Sequence, residues 1–97
     1  MSMFIALVSY TEQGIRDVRN SPKRLDAAKA LLEDTGGRML HVFMTMGEHD
    51  LVFVYETPDD ACAARFSLQL GRQGNVRTTT MKAYPEQAYR EIVNSLG

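Results

Sequence analysis

The apolar positions of this 97-residue chain recur with two different periods. Residues 38–57 hold two apolar runs around a polar break, Gly47-Glu48-His49-Asp50. That is the pattern of a β-hairpin whose turn is built on glycine and aspartate. In the first run Leu40, Val42, Met44 and Met46 alternate with Met39, Phe43 and Thr45, and in the second Leu51, Phe53 and Tyr55 alternate with Val52 and Val54. Both alternating sets are apolar, whereas an antiparallel sheet with one wet face alternates apolar and polar residues. Something must cover each face, and so short a chain cannot supply both covers. The pattern predicts a homo-oligomer, a dimer or an assembly of dimers.

The remaining elements follow from period and punctuation. Residues 3–10 read as a strand with Phe4, Ala6, Val8 and Tyr10 on one face. Thr11 opens a short helical turn. Ser21-Pro22 predicts a helix with serine as its cap and proline first, carrying the stripe Leu25, Ala28, Leu32 and Thr35 and ending at Gly36-Gly37. Thr57-Pro58-Asp59-Asp60 predicts another helix with Thr57 as its cap and the stripe Ala61, Ala64 and Leu68. A threonine-rich strand spans 76–84, and Pro85 begins a last helix with Tyr89, Ile92, Val93 and Leu96 in an i, i+3, i+4, i+7 stripe. The order is that of a ferredoxin-like split βαβ fold (βαββαβ), of class α+β, with an extra C-terminal helix. A single domain over 1–97 is expected.

Composition narrows the function. A net charge of −1 lacks the basic excess of a nucleic-acid groove. The lone Cys62 excludes an internal disulfide and suits a reducing compartment. The apolar run at 3–8 is too short for a signal peptide or a membrane span. A cytoplasmic protein without nucleic-acid or membrane partners is expected.

Several short motifs carry a resemblance. They are Tyr10-Thr11-Glu12-Gln13-Gly14-Ile15, Ser21-Pro22 followed by Arg24, Gly36-Gly37, Gly47-x-x-Asp50, Pro58-Asp59-Asp60, and Gly74-Asn75-Val76-Arg77-Thr78 with Thr80. In this order and spacing the chain resembles the GYD-domain family, small bacterial and archaeal proteins of the dimeric α+β barrel type with no settled function. The resemblance implies fold and oligomerisation rather than chemistry. Where the family usually has tyrosine before the aspartate, this chain has His49.

Candidate chemistry is sparse. His41 and His49 are the only histidines, and a hairpin turning near Glu48 separates them by roughly 15 Å, too far for one ion within a chain. No metal or cofactor is expected. His41 lies among apolar residues, and a neutral imidazole there could act as a general base, although a structural histidine is the commoner case. Thr78 and Thr80 share a strand face, and hydroxyls facing an apolar cavity need partners. A ligand cleft lined by His41, Phe43, Thr78 and Thr80 is therefore expected, with Gly47 and Asp50 as turn residues. Gly47 is expected in a left-handed conformation, with Asp50 accepting turn N–H groups. Two functions fit: a self-associating module that binds a small ligand or partner, or a cofactor-independent enzyme, such as a monooxygenase or isomerase, with His41 as base.

Overall fold

A computed structural model describes residues 1–97. The elements are β1 (Ser2–Tyr10), α1 (Glu12–Arg16), a 3₁₀ turn (Val18–Asn20), α2 (Ser21–Asp34), β2 (Arg38–Met44), β3 (Leu51–Thr57), α3 (Asp60–Arg72), β4 (Val76–Ala83) and α4 (Glu86–Asn94). The four strands form one antiparallel sheet in the order β2-β3-β1-β4. This is the expected ferredoxin-like α+β topology, with α4 added after the last strand.

Strand register decides which side chains meet the helices. Phe4 lies opposite Tyr55 and Lys82, Ala6 opposite Phe53 and Thr80, and Val8 opposite Leu51 and Thr78. Phe4, Ala6, Val8, Phe53 and Tyr55 are buried together with Ala28 and Leu32 of α2 and Ala63, Phe66 and Leu70 of α3. Tyr55 is the hub, its ring stacked on Phe4 at 5.6 Å and set edge-on to Phe66 at 5.1 Å. Met3, Ile5 and Leu7 of β1 with Val52 and Val54 of β3 point to the opposite face, where no helix packs.

Three local readings of the sequence are corrected. The buried face of α3 is Cys62, Ala63, Phe66 and Leu70, whereas Ala61, Ala64 and Leu68 are exposed, Leu68 at 71%. Both stripes have helical spacing, but only the first contains the phenylalanine that fills the space beside Tyr55. Asp59 rather than Thr57 caps α3, its Oδ1 accepting the Cys62 N–H at 2.9 Å. That bond holds the Asp59 carboxyl below the usual carboxylate range. Thr57 ends β3, fully buried, and its hydroxyl donates to the Asp59 carbonyl at 2.6 Å. Asn20, not Ser21, occupies the cap position of α2, which frees the Ser21 hydroxyl for a long-range bond.

The two candidate faces of α3 give a direct test by urea unfolding at matched protein concentration. Phe66→Ala is expected to cost about 3–5 kcal/mol. Leu68→Ala should change stability by no more than about 0.5 kcal/mol, as for an exposed side chain.

Candidate functional site

The short motifs scattered along the chain converge at one end of the sheet. Thr11 caps α1 by accepting the Gly14 N–H at 3.1 Å, and its own hydroxyl donates to the Gly74 carbonyl. Its N–H donates to the Asn75 carbonyl at 3.0 Å, and Gln13 Nε2 donates to Gln73 O and Asn75 Oδ1. Arg24 reaches back from α2 to Gly14 O at 3.3 Å, Asp17 O at 2.9 Å and the Asp17 carboxylate at 3.2 Å. Tyr10 OH and Ser21 Oγ lie 2.8 Å apart. A Cβ on Gly14 would lie 1.9 Å from Asn75 O, so this position admits only glycine. Gly74 has φ +87°, a backbone conformation that favours glycine.

Asp50 joins the same cluster. Its Oδ2 accepts the Tyr10 N–H at 2.8 Å and its own N–H donates to Val8 O at 2.9 Å, so it caps the end of β1. The hairpin loop is closed instead by Thr45, whose N–H donates to Asp50 O at 2.9 Å and whose hydroxyl donates to His49 O. Gly47 does not have a positive φ, and a Cβ there would meet nothing within 4 Å. The expectation of a left-handed Gly47 with Asp50 serving the turn is therefore corrected. Asp50 serves the neighbouring strand because the loop folds over the end of β1.

These groups satisfy one another. The cavity beneath them, lined by Tyr10, Ser21, Arg24, Leu25, Leu70 and Asn75 among others, measures about 40 Å³. That volume holds a few waters and no organic ligand. The cluster is a clamp that fixes the loops.

The four residues expected to line one ligand cleft are not brought together. His41 and Phe43 lie on β2 and Thr78 and Thr80 on β4, the two opposite edges of the sheet. Three strand spacings of about 4.8 Å separate those edges by roughly 14 Å. They also lie on opposite faces. His41 pairs with Val54 and Phe43 with Val52 on the open face, whereas Thr78 and Thr80 pair with Val8 and Ala6 on the helix face. A bulge at Leu40 produces this result: Met39 pairs with Tyr55 and His41 with Val54, so alternation across the bulge is broken. His41 is exposed, its ring stacked with Phe43 at 6.0 Å. His49 lies at the end of β1, its Nδ1 3.2 Å from Ser9 Oγ. No three His, Cys, Asp or Glu side chains gather at one point.

On the helix face, Thr80 meets the Ser67 hydroxyl, near a buried tyrosine that sequence reasoning passed over. Thr80 Oγ1 lies 3.3 Å from Ser67 Oγ of α3. The Tyr55 hydroxyl is fully buried and has no partner in hydrogen-bond geometry. Leaving such a group unpaired costs about 1–3 kcal/mol. Burial pushes the Tyr55 phenol up, with the Ser67 and Thr80 hydroxyls opposing the rise, so Tyr55 stays neutral and keeps a proton to donate.

Two further surfaces are apolar and uncovered. One is the open face of the sheet, where Phe43 is 55% and Met81 44% exposed beside half-buried Ile5, Leu7, Val52 and Val54. The other is α4, which has no buried residue; the stripe predicted from its sequence forms, yet Tyr89, Ile92, Val93 and Leu96 all remain exposed. No helix is long and apolar enough to cross a membrane.

Residues 4–93 match a protein family described as the GYD domain. A protein of Thermus thermophilus, described as glutamine synthetase and cystathionine beta-lyase binding protein, is 35% identical over 86 residues. The match covers 88% of this chain and 90% of that protein.

The loop clamp predicts a pattern of stabilities. Gly14→Ala, which drives a Cβ into Asn75, and Asp50→Ala, which strips the Tyr10 N–H of its acceptor, should each lose about 1–3 kcal/mol. Gly47→Ala should be silent within about 0.5 kcal/mol. Urea midpoints of the three variants at one protein concentration provide the check.

Proposed function

This chain belongs to the GYD-domain family, and from that premise we propose that it is a binding module rather than an enzyme, one that self-associates and docks onto another protein. The observation that carries this reading is the apolar surface left uncovered on two separate elements, the open sheet face and α4. Only 14 of the 97 residues are buried, a small core for a chain whose residues are 44% hydrophobic. Association would remove from water the apolar side chains that the fold leaves exposed.

The two surfaces differ in shape, and the difference suggests different occupants. The sheet face is broad and flat, and two such faces stack about 10 Å apart with interdigitating side chains. Related by a two-fold axis, the same patch on two copies is self-complementary. We assign this face to a second copy of the chain. The apolar stripe of α4 is narrow, suited to a groove on another protein that receives residues at i, i+3, i+4 and i+7. The relative described as binding two enzymes supports a protein occupant for that helix. By contrast His41, the base of the enzymatic alternative, is exposed on an edge strand and has no hydrogen-bonded residue to orient it. Cys62 is free and buried, which suits a reducing environment, and the reading places the protein in the cytoplasm.

Sedimentation equilibrium at micromolar concentration should show no stable species of 10.9 kDa. Val54→Asp, which puts a charge into the paired faces, should release folded monomer. If the unaltered chain is a well-folded monomer, self-association is wrong. Binding to purified glutamine synthetase, followed by interferometry, should weaken at least tenfold in Ile92→Asp while the oligomer persists. Equal binding by that variant would remove α4 from the docking surface.

A further inference from the structure

Building on the reading that the open sheet face pairs with a second copy, we propose that His41 is a pH switch for that pairing. A neutral imidazole lets the two copies associate, and its protonation releases them.

Strand register sets the position of the switch. Across the sheet, one row of the open face is Phe43, Val52, Leu7 and Thr79. The next row is His41, Val54, Ile5 and Met81. The charged residues on the strands of this face lie outside these two middle rows. Arg38 faces Glu56 in the row at one end, and Arg77 faces Ser9 at the other. His41 is therefore the one ionisable side chain within the apolar patch. The bulge at Leu40 puts it there, because unbroken alternation from Met39 would turn residue 41 to the helix face. Its ring, stacked with Phe43 at 6.0 Å, is exposed in the single chain and would be covered by a second sheet about 10 Å away.

Protonation changes what that cover costs. Enclosing a neutral imidazole among apolar side chains desolvates one polar group, whereas enclosing an imidazolium strips the hydration from a full charge. Histidine ordinarily gains its proton near pH ~6.5. Above that pH, pairing encloses a neutral ring from each copy; below it, a cation from each. The face offers those cations no free counter-charge. Glu56, diagonal to His41 across β2 and β3, is the one acid on the strands of this face, and its carboxylate already meets Arg38 at 3.5 Å. Arg38 and Glu56 offset each other, which leaves the face positive through Arg77 before His41 adds its charge. His49 lies beyond the last row, its Nδ1 3.2 Å from Ser9 Oγ, between Glu48 and Asp50 in the hairpin loop. The Asp50 carboxylate is held there by the Tyr10 N–H. Association is thus strongest above the histidine transition and is lost as the pH falls through it.

Sedimentation equilibrium of the full chain at about pH 7.5 and about pH 5.5 brackets the histidine transition while carboxylates stay ionised. Ionic strength is held constant, and circular dichroism checks the native fold at each pH. The dissociation constant of the unaltered chain should rise by about tenfold or more at the lower pH. His41→Gln should remain associated at both pH values, and His41→Lys, which fixes the charge, should be weakened at both. His49→Gln should respond as the unaltered chain does. Equal affinity of the unaltered chain at both pH values, or full association of His41→Lys, would overturn the switch. So would a pH response that survives His41→Gln or disappears in His49→Gln. A chain that is monomeric at both pH values would instead refute the pairing itself, and the switch with it.

Discussion

The constraint from which the rest follows is that two crossover helices cover one face of a four-stranded sheet and no more. α2 and α3 both lie over Phe4, Ala6, Val8, Phe53 and Tyr55, as the handedness of their connections requires. Burial is then concentrated on one side, with Tyr55 touching Phe4 within the sheet and Phe66 from the helix layer. The alternation of a strand sends every second side chain the other way. In β1 and β3 those side chains are Ile5, Leu7, Val52 and Val54, apolar residues that would be polar if this face were meant for water.

The molecule is held unevenly. At one end the loops after β1, β2 and α3 are tied by mutual hydrogen bonds among Thr11, Gln13, Arg24, Asp50 and Asn75. The close approach of Gly14 to Asn75 leaves that end little freedom. α4 follows the edge strand without burying a residue, and the molecule extends 52 Å along its longest axis. A rigid clamp beside an unpacked helix suits a protein that presents surface to others. The same clamp explains why so many recognisable motifs coincide with glycine, asparagine and short polar residues: they are the parts of a joint.

The edges of the sheet carry the polar chemistry, because its two central strands are filled by the core and the open face. β2 bears His41 beside Phe43, both exposed, and β4 bears Thr80 against Ser67 of α3. On the helix face, a tyrosine placed for packing also leaves a buried hydroxyl without a hydrogen-bond partner. Packing and polarity meet there in one residue, because Tyr55 at the centre of the core carries the one buried side-chain hydroxyl left without a partner.

The sequence by itself determined the element order, the ferredoxin-like topology, the doubly apolar hairpin and the amphipathic last helix. Each of these is a matter of local period and punctuation. It did not determine which of two helical stripes on α3 is buried, since Ala61–Ala64–Leu68 and Cys62–Phe66–Leu70 have equivalent spacing and only the cavity beside Tyr55 selects the larger side chain. Nor did it reveal the extra residue at Leu40, because a bulge depends on what the partner strand offers and leaves no mark on the alternation itself. That one residue turns His41 away from the face occupied by Thr78 and Thr80. Asp50 looked like a turn residue and caps β1 instead, because the group it satisfies, the Tyr10 N–H, lies 40 residues away in sequence. Local chemistry was legible wherever the partners are neighbours along the chain. Where the partner is distant, only the folded arrangement decides which groups meet.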